Sequence, residues 1–452
     1  MTPRRINFIT GKLAAPALAT LLKDMAPSFG HKVVELPAHV AALMTTEYIA
    51  RKLPPGLTGE VMIPGGCQGP LDPIRLASGA PALRGPVDMM DIPAHFGGKL
   101  IPPKYGKPRL HILAEIVDAP KLSIRQIVLR AGRYAKDGAD WIDLGCMNET
   151  PFPHLADTVR ELCGMGYKVS VDSANPDELL AGSRAGAGMF LSVNSANISI
   201  AGKLEGKVVV IPDPGKGIGG MYKNAEAALR QGVEVVLDPI LDPLMMGAAK
   251  AVARYVDARR KFPDTPILMG AGNLVELVEA DNLGINAMIA GFCAEMNIDY
   301  ALTAEVIPWN RGAVAQLAAA RRVMEYAKER KTLPKGFDHR LVALRDPKIR
   351  GFTAAQIGKL QKMVNDKNFR IFVADEKIHI FNREVYIKAG KAEGMIGKLG
   401  VEDAAHAFYL GMELMKAETA LLLGKNYVQD EPLAWGYITA GRPKRRDGGR
   451  AK

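Results

Sequence analysis

Acidic and amide side chains recur where the apolar runs in the middle of this chain come to an end. RLHILAEI closes on Glu115, with Asp118 just beyond it. WIDLGC carries Asp143 and runs into CMNETP with Asn148 and Thr150. KVSVDS ends on Asp172 and Ser173, MFLSVN on Asn194, and KVVVIPD on Asp213. EVVLDPI carries Asp238, PILMG is followed by Gly272 and Asn273, and YALTAEV carries Glu305. Taken singly, each has an ordinary reading as a helix cap or turn residue. Taken together they would crowd one rim of a structure built from parallel strands, and buried carboxylates and amides need partners. With few histidines among them, they suit a planar heterocycle rich in N–H donors. A 2-amino-4-oxopyrimidine edge resembles a guanidine and pairs bidentately with a carboxylate. An Asn amide supplies a donor and an acceptor for the neighbouring ring atoms.

A second chemistry is written in PDPGKGIGGMYKN (212–224). Gly215, Gly217, Gly219 and Gly220 let the backbone approach a ligand closely, and Lys216 and Lys223 add charge. Backbone N–H groups ahead of a helix make an anion site. A plain glycine-rich turn would use the same residues. Thr10-Gly11-Lys12 has the look of the end of a phosphate loop, but it lacks the upstream glycine and reads as a strand-to-helix turn.

The elements that must position these groups fall into three regions. Residues 1–97 hold short apolar runs at 6–12, 32–37 and 60–66 with helical stretches near 14–26 and 40–52, a small parallel α/β domain. The Gly- and Pro-rich segment 98–108 is the expected linker. Residues 109–330 alternate regularly, with strands expected at 109–116, 141–146, 168–173, 189–194, 207–213, 234–240, 266–270 and 300–306. NAMIAGF (286–292) is assigned to a helix, because Ile285, Ile289, Phe292 and Met296 recur at three- and four-residue spacing. Eight strands with crossovers predict a (β/α)8 TIM barrel, whose active site lies at the strand C-termini. An open doubly wound sheet is the alternative, but no GxGxxG follows the first strand. Residues 331–452 read as a C-terminal α+β domain, with a helix near 354–366 capped by Thr353, hairpin strands over 369–390, a helix over 402–423 and a basic, disordered tail from Arg442.

Composition narrows the setting. The chain has 452 residues, 48% of them hydrophobic and 24% charged, which is ordinary for a soluble protein. No apolar run is long enough for a membrane span. Four cysteines without a CxxC pair fit a reduced, cytoplasmic compartment and no metal site. The formal charge of +11 favours anionic small molecules, and no nucleic-acid motif accompanies it.

VSVDSANPDELLAGSRAGAGMFLSVNSAN (169–197) resembles the third-to-fourth-strand segment of the pterin-binding barrel enzymes, which include dihydropteroate synthases and methyltetrahydrofolate–corrinoid methyltransferases. The resemblance implies that Asp172 and Asn194 hold a pterin. DGADWIDLGCMNETP (137–151) is similar to the synthases' second strand, with Asp143 at their acidic position. LAEIVDAP, DPILDP and GAGN are similar to the methyltransferases, with Glu115, Asp118, Asp238 and Asn273 at their polar positions. The three-part layout resembles dihydropteroate-synthase-related proteins of tetrahydromethanopterin-type cofactor biosynthesis. Where a synthase has Ser-Arg-Lys after the seventh strand, this chain has Gly-Asn-Leu, and Thr303-Ala304-Glu305 replaces Arg-x-His on the eighth. The implied activity is condensation of hydroxymethyl-dihydropterin pyrophosphate with an arylamine, here a phosphorylated ribosyl aminobenzene. The candidate catalytic groups are Asp118, Asp143 and, from the glycine-rich loop, Lys216. Glu115, Asn148, Asp172, Asn194, Asp213, Gly215, Lys223, Asp238 and Asn273 would bind substrate. No tightly bound cofactor is expected beyond Mg2+ with the pyrophosphate, and the expected assembly is a homo-oligomer. The competing readings are a methyltransferase serving a corrinoid protein and a non-catalytic pterin-binding protein.

Overall fold

The structure, a computed structural model, describes residues 4–99 and 101–439, so the basic tail from Arg442 lies outside the described residues. The chain divides into two compact units, Met1–Asp338 and His339–Lys452.

The first unit opens with a four-stranded parallel sheet. β1 (Arg5–Gly11) lies between β2 (Gly30–Leu36) and β3 (Glu60–Ile63), and β4 (Ala82–Arg84) pairs with β3. β4 was not legible as a strand because it is three residues long and follows a proline. The helix expected over 40–52 starts only at Thr46, where the Thr45 hydroxyl accepts the Tyr48 N–H at 3.2 Å. Gly11 is a packing glycine: a Cβ there would stand 2.6 Å from the Ala38 carbonyl oxygen. Thr10-Gly11-Lys12 is therefore the end of a strand, as its sequence context indicates.

The eight-stranded parallel sheet follows. Its strands are β5 (His111–Ile116), β6 (Trp141–Gly145), β7 (Val169–Asp172), β8 (Met189–Val193), β9 (Lys207–Val210), β10 (Glu234–Leu237), β11 (Leu268–Gly270) and β12 (Tyr300–Ala304). The last strand pairs with the first, from Tyr300–His111 to Ala304–Glu115. A parallel bridge between Leu237 and Ile267 joins β10 to β11 and completes the ring. Helices separate most strands, and Leu283–Glu295 is one of them, so NAMIAGF is helical as expected. This is a (β/α)8 barrel.

Its interior is plugged by Leu113, Trp141, Met189, Leu191, Val209, Val236, Leu268 and Tyr300. Side chains alternate along a strand, so the residue two positions onward also faces inward. That rule carries Glu115, Asp143 and Asp238 into the next layer, above the apolar plug. A register shift between Leu191 and Val193 changes the parity of β8. Val193 pairs with the outward Val210, which leaves Asn194 level with the inward Ile211.

The opposite end of the barrel is clamped by charge. Arg321, whose side chain is 9% exposed, pairs with Asp140 and donates to the carbonyls of Leu110 at 2.8 Å and Gly138 at 3.1 Å. Burial would push Asp140 up, but His111, the Ile112 N–H and Arg321 hold it down at about 2. Glu325 accepts the backbone N–H groups of Arg109 and Leu110 at 2.8 and 2.7 Å, fastening the chain at the entry to β5.

In the second unit the helix Ala354–Met363 begins with a capping box between Thr353 and Gln356. β13 (Arg370–Ala374), β14 (Lys377–Phe381) and β15 (Tyr386–Ala389) form an antiparallel sheet. The helix Ala404–Leu423, capped by Asp403, lays Leu410, Leu414 and Ala417 on Ile371, Ile378 and Ile380. Among the described residues no helix is long and apolar enough to cross a membrane.

The clamp gives a stability test. Removing one partner of a buried ion pair leaves the other charge uncompensated, at a cost on the order of 3 kcal/mol. Arg321→Met is expected to lower unfolding free energy in urea by about that much. A loss below about 1 kcal/mol would mean that the clamp does not hold the barrel's lower end together.

Candidate functional site

The inward layer above the plug is acidic. One carboxylate oxygen from each of Glu115, Asp143 and Asp172 lies within 4.8 Å of the others. Among the described residues this trio receives a single side-chain hydrogen bond, from the Ser170 hydroxyl to Asp143 Oδ1 at 2.5 Å. Asp143 Oδ2 is buried without a partner. Room for Glu115 depends on Gly145, since a Cβ at that position would lie 2.5 Å from Glu115 Oε1.

Burial and mutual repulsion make these groups harder to ionise than ordinary carboxyls. Glu115 is pushed up to about 7, first by burial and then by Asp172, Glu276 and Asp118. Asp143 is raised well above the ordinary carboxylate range by burial and by Asp172 and Glu115. Asp172 is raised to about 6 by burial and by Asp238. Burial raises Asp238 to about 6 as well, against the lowering effect of the Tyr255 hydroxyl, the Ile240 N–H and Arg254. The Tyr255 hydroxyl and the Ile240 N–H each donate to Asp238 Oδ1 at 2.8 Å.

The other residues singled out from sequence stand differently. Asn194 is half-buried at the rim, and its Oδ1 accepts the Ala196 N–H at 2.9 Å. Asp213 is tied to the β8 loop, accepting from the Ser195 N–H at 3.0 Å and the Ser195 hydroxyl at 2.9 Å. Asn273 donates to the Leu241 carbonyl at 2.8 Å and so joins the β11 and β10 loops. Asn148 is exposed in a cleft between the β6 and β7 loops. Gly215 sits on an exposed turn at φ +69°, and Lys216, with 74% of its side chain exposed, lies 3.8 Å from Asp213. Lys223 is exposed on the first turns of the helix Gly219–Arg230. Asp118, also in the left-handed region at φ +57°, pairs with Lys121 at 3.5 Å.

Two residues near the acids, Ser170 and Glu276, do not stand out in the sequence. Ser170 could have been found, because it lies two residues before Asp172 and shares its face. Glu276 lies beyond the GAGN turn and gave no signal. Cys146 stands beside the acids, but burial and Glu178 raise its thiol, and all four cysteines are free.

Comparisons with known proteins add the following. A family model described as a family of unknown function (DUF6513) matches residues 4–87, and one described as PterinBD-DUF4346 matches residues 364–430. An uncharacterized protein of Methanocaldococcus jannaschii is 29% identical over 364 residues, covering 71% of this chain and 69% of that protein. Among solved structures, 7,8-dihydropteroate synthase of Vibrio fischeri matches with 12% identity and a TM-score of 0.41, over 49% of this chain and 94% of that one. Dihydropteroate synthase of Thermus thermophilus in complex with 6HMPPP matches with 20% identity and a TM-score of 0.39, over 48% and 94%.

A carboxyl group whose folded-state value is raised favours folding less as pH climbs, because the folded state gives up its proton only at a cost. Between the unfolded carboxylate range near 4 and the values of about 6 to 7 here, the cluster's contribution to stability therefore falls. Asp143→Asn removes one acid and keeps a partner for Ser170. Its melting temperature should match wild type near pH 5 and exceed it increasingly toward pH 8. A constant difference across that range would show that the cluster carries no such repulsion. The family model whose description names pterin binding covers residues 364–430, in the second unit, whereas the resemblance read from the sequence lies in the barrel.

Proposed function

We propose that this chain is a pterin-utilising transferase that condenses hydroxymethyl-dihydropterin pyrophosphate with an arylamine, a ribosyl aminobenzene phosphate, in tetrahydromethanopterin-type cofactor synthesis. One observation carries the reading: three clustered carboxyl groups, Asp143 buried and Glu115 and Asp172 half-buried, receive one side-chain hydrogen bond among the described residues, and Asp143 Oδ2 has none. A guanidine-like ring edge brings N–H donors to carboxylates in pairs. Asp172 and Asp143 would take that edge, with Glu115, Asp238 and Asn194 around the ring.

The reaction breaks the bond between the pterin methylene carbon and the pyrophosphate oxygen and forms one from that carbon to the arylamine nitrogen. As pyrophosphate leaves with the bonding electrons, positive charge spreads into the ring. Carboxylates already placed beneath it stabilise that charge without reorganising. The nitrogen's proton passes to Asp118 or water. The loop 214–223, with Lys216 and Lys223, would receive the leaving group. Mg2+ arriving with the pyrophosphate would neutralise part of its charge.

Incubation with the pterin pyrophosphate, Mg2+ and candidate arylamines, followed by mass analysis, tests the reading. Release of pyrophosphate with a coupled product supports it. Methyl transfer from a methylated pterin to a corrinoid, or pterin binding without turnover, would replace it with one of the alternatives.

Two substitutions separate the parts. Loss of a partner in a buried charge-assisted pair costs about 2–5 kcal/mol, so Asp172→Ala should weaken pterin binding by at least tenfold. Lys216→Ala should lower turnover far more than it lowers affinity for the pterin alone. Unchanged turnover would remove the loop from the site and leave the pterin pocket standing.

A further inference from the structure

Positive charge is missing from the seventh and eighth strands themselves, yet it is present beside them. A cleft of about 590 Å3 opens outward from Glu115, between the ends of β5 and β12. Its wall includes Lys121, Arg130, Arg133 and Arg311, with apolar surface from Leu122, Ile307 and Pro308 and the ring of Tyr134. Arg130 and Arg133 project from one face of the helix Ile124–Asp137, a single turn apart.

The charges in this cleft do not cancel. Lys121 is paired with Asp118 at 3.5 Å, and Arg133 with Glu305 at 3.1 Å. Glu305 is fixed: its side chain is 3% exposed and also accepts the Val314 N–H at 3.3 Å. It thus holds Arg133 in place through one nitrogen. Arg130 and Arg311 have no ion-pair partner among the described residues, and Arg130 is half-buried. A partly buried guanidinium without an anion is a cost unless something supplies one. The planar fork of donors matches the oxygens of a phosphate.

We propose that this cleft binds the phosphate monoester of the second substrate, with Arg130 and Arg311 on the phosphate and the apolar wall against the ring that carries it. The proposal rests on the two-substrate reading above, but not on the identity of the heterocycle. Position supports the assignment to the second substrate. In the ring of strands the cleft spans the first and eighth, β5 and β12, whereas the glycine loop follows the fifth, β9. The two anion-binding features thus stand on opposite sides of the barrel mouth with the carboxyl cluster between them. With the leaving group drawn to one side of the mouth, the arylamine can reach the methylene carbon from the other, and an enzyme gains rate by holding the reacting groups in place.

The test is calorimetric titration with ribose 5-phosphate, with inorganic pyrophosphate titrated separately and pterin binding followed by fluorescence. Wild type should bind ribose 5-phosphate saturably, in the millimolar range or tighter. Arg130→Gln and Arg311→Gln should each weaken it by at least about tenfold, and Arg130→Lys should retain part of the affinity. Pyrophosphate and pterin binding should be unchanged in all three, which also reports that the variants are folded. The proposal is overturned if wild type shows no saturable binding, if the Gln variants bind ribose 5-phosphate normally, or if pyrophosphate binding is lost in its place. Should pterin fail to bind while the Arg-dependent phosphate binding persists, the cleft stands and the pterin reading falls.

Discussion

Three carboxyl groups are held within reach of one another at the mouth of a closed barrel, with one hydroxyl between them to share. Such an arrangement works against folding, since burial and like charge both oppose ionisation. The barrel tolerates it because the rest of the ring is fully committed. The interior beneath is packed with aliphatic and aromatic side chains, and the lower end is locked by Arg321, Asp140 and Glu325. The packed surroundings keep the acids from swinging apart into water, so their repulsion is retained, and a ligand with N–H donors would relieve it. Strain of this kind, kept at one place and offset elsewhere, is a common mark of a binding site.

The scaffold places these groups by parity. Strand alternation puts Glu115, Asp143 and Asp238 in one layer, and Ser170 and Asp172 share the inward face of β7. The irregularity in β8 is what brings Asn194 to the same side. Gly145 then makes the space that Glu115 occupies. None of these devices is chemical in itself, yet a one-residue slip in any of these strands would turn a carboxylate outward.

That dependence explains how much could be read beforehand. The eight strands and the acids Glu115, Asp143, Asp172 and Asp238 were legible because apolar runs with a polar residue at the same end repeat along the chain. Loop contacts were less so. Asp213 and Asn273 have the residue types of ligand groups, but Asp213 is bound to Ser195 and Asn273 to the Leu241 carbonyl. In sequence a loop tie and a ligand contact look alike. The arginines of the β5–β12 cleft were missed for the opposite reason. Charged residues on a barrel helix read as a solvated face, and nothing in the pattern of 124–137 tells that Arg130 and Arg133 turn toward the rim. β4 escaped because a three-residue strand beside prolines has no period to detect.

The separation of charge across the barrel mouth bears on how such a site could work. The acids occupy the centre, and basic groups stand around them in the glycine loop, in the β5–β12 cleft and, with Arg254 tied to Asp242, behind the β10 loop. Had a lysine or arginine been placed among the acids, it would have satisfied them and left no demand for a ligand's donors. Had an acid faced the glycine loop without a partner, it would have repelled a departing anion. Asp213 is the acid nearest that loop; its bonds to Ser195 tie it to the β8 loop, and Lys216 at 3.8 Å offsets its charge. Asn224 donates to the same Ser195 hydroxyl at 3.0 Å, so both ends of the loop are fastened while Gly215–Gly217 stay exposed between them. A central cation would then form over the carboxylates, and the negative charge that leaves it would have a separate place to go.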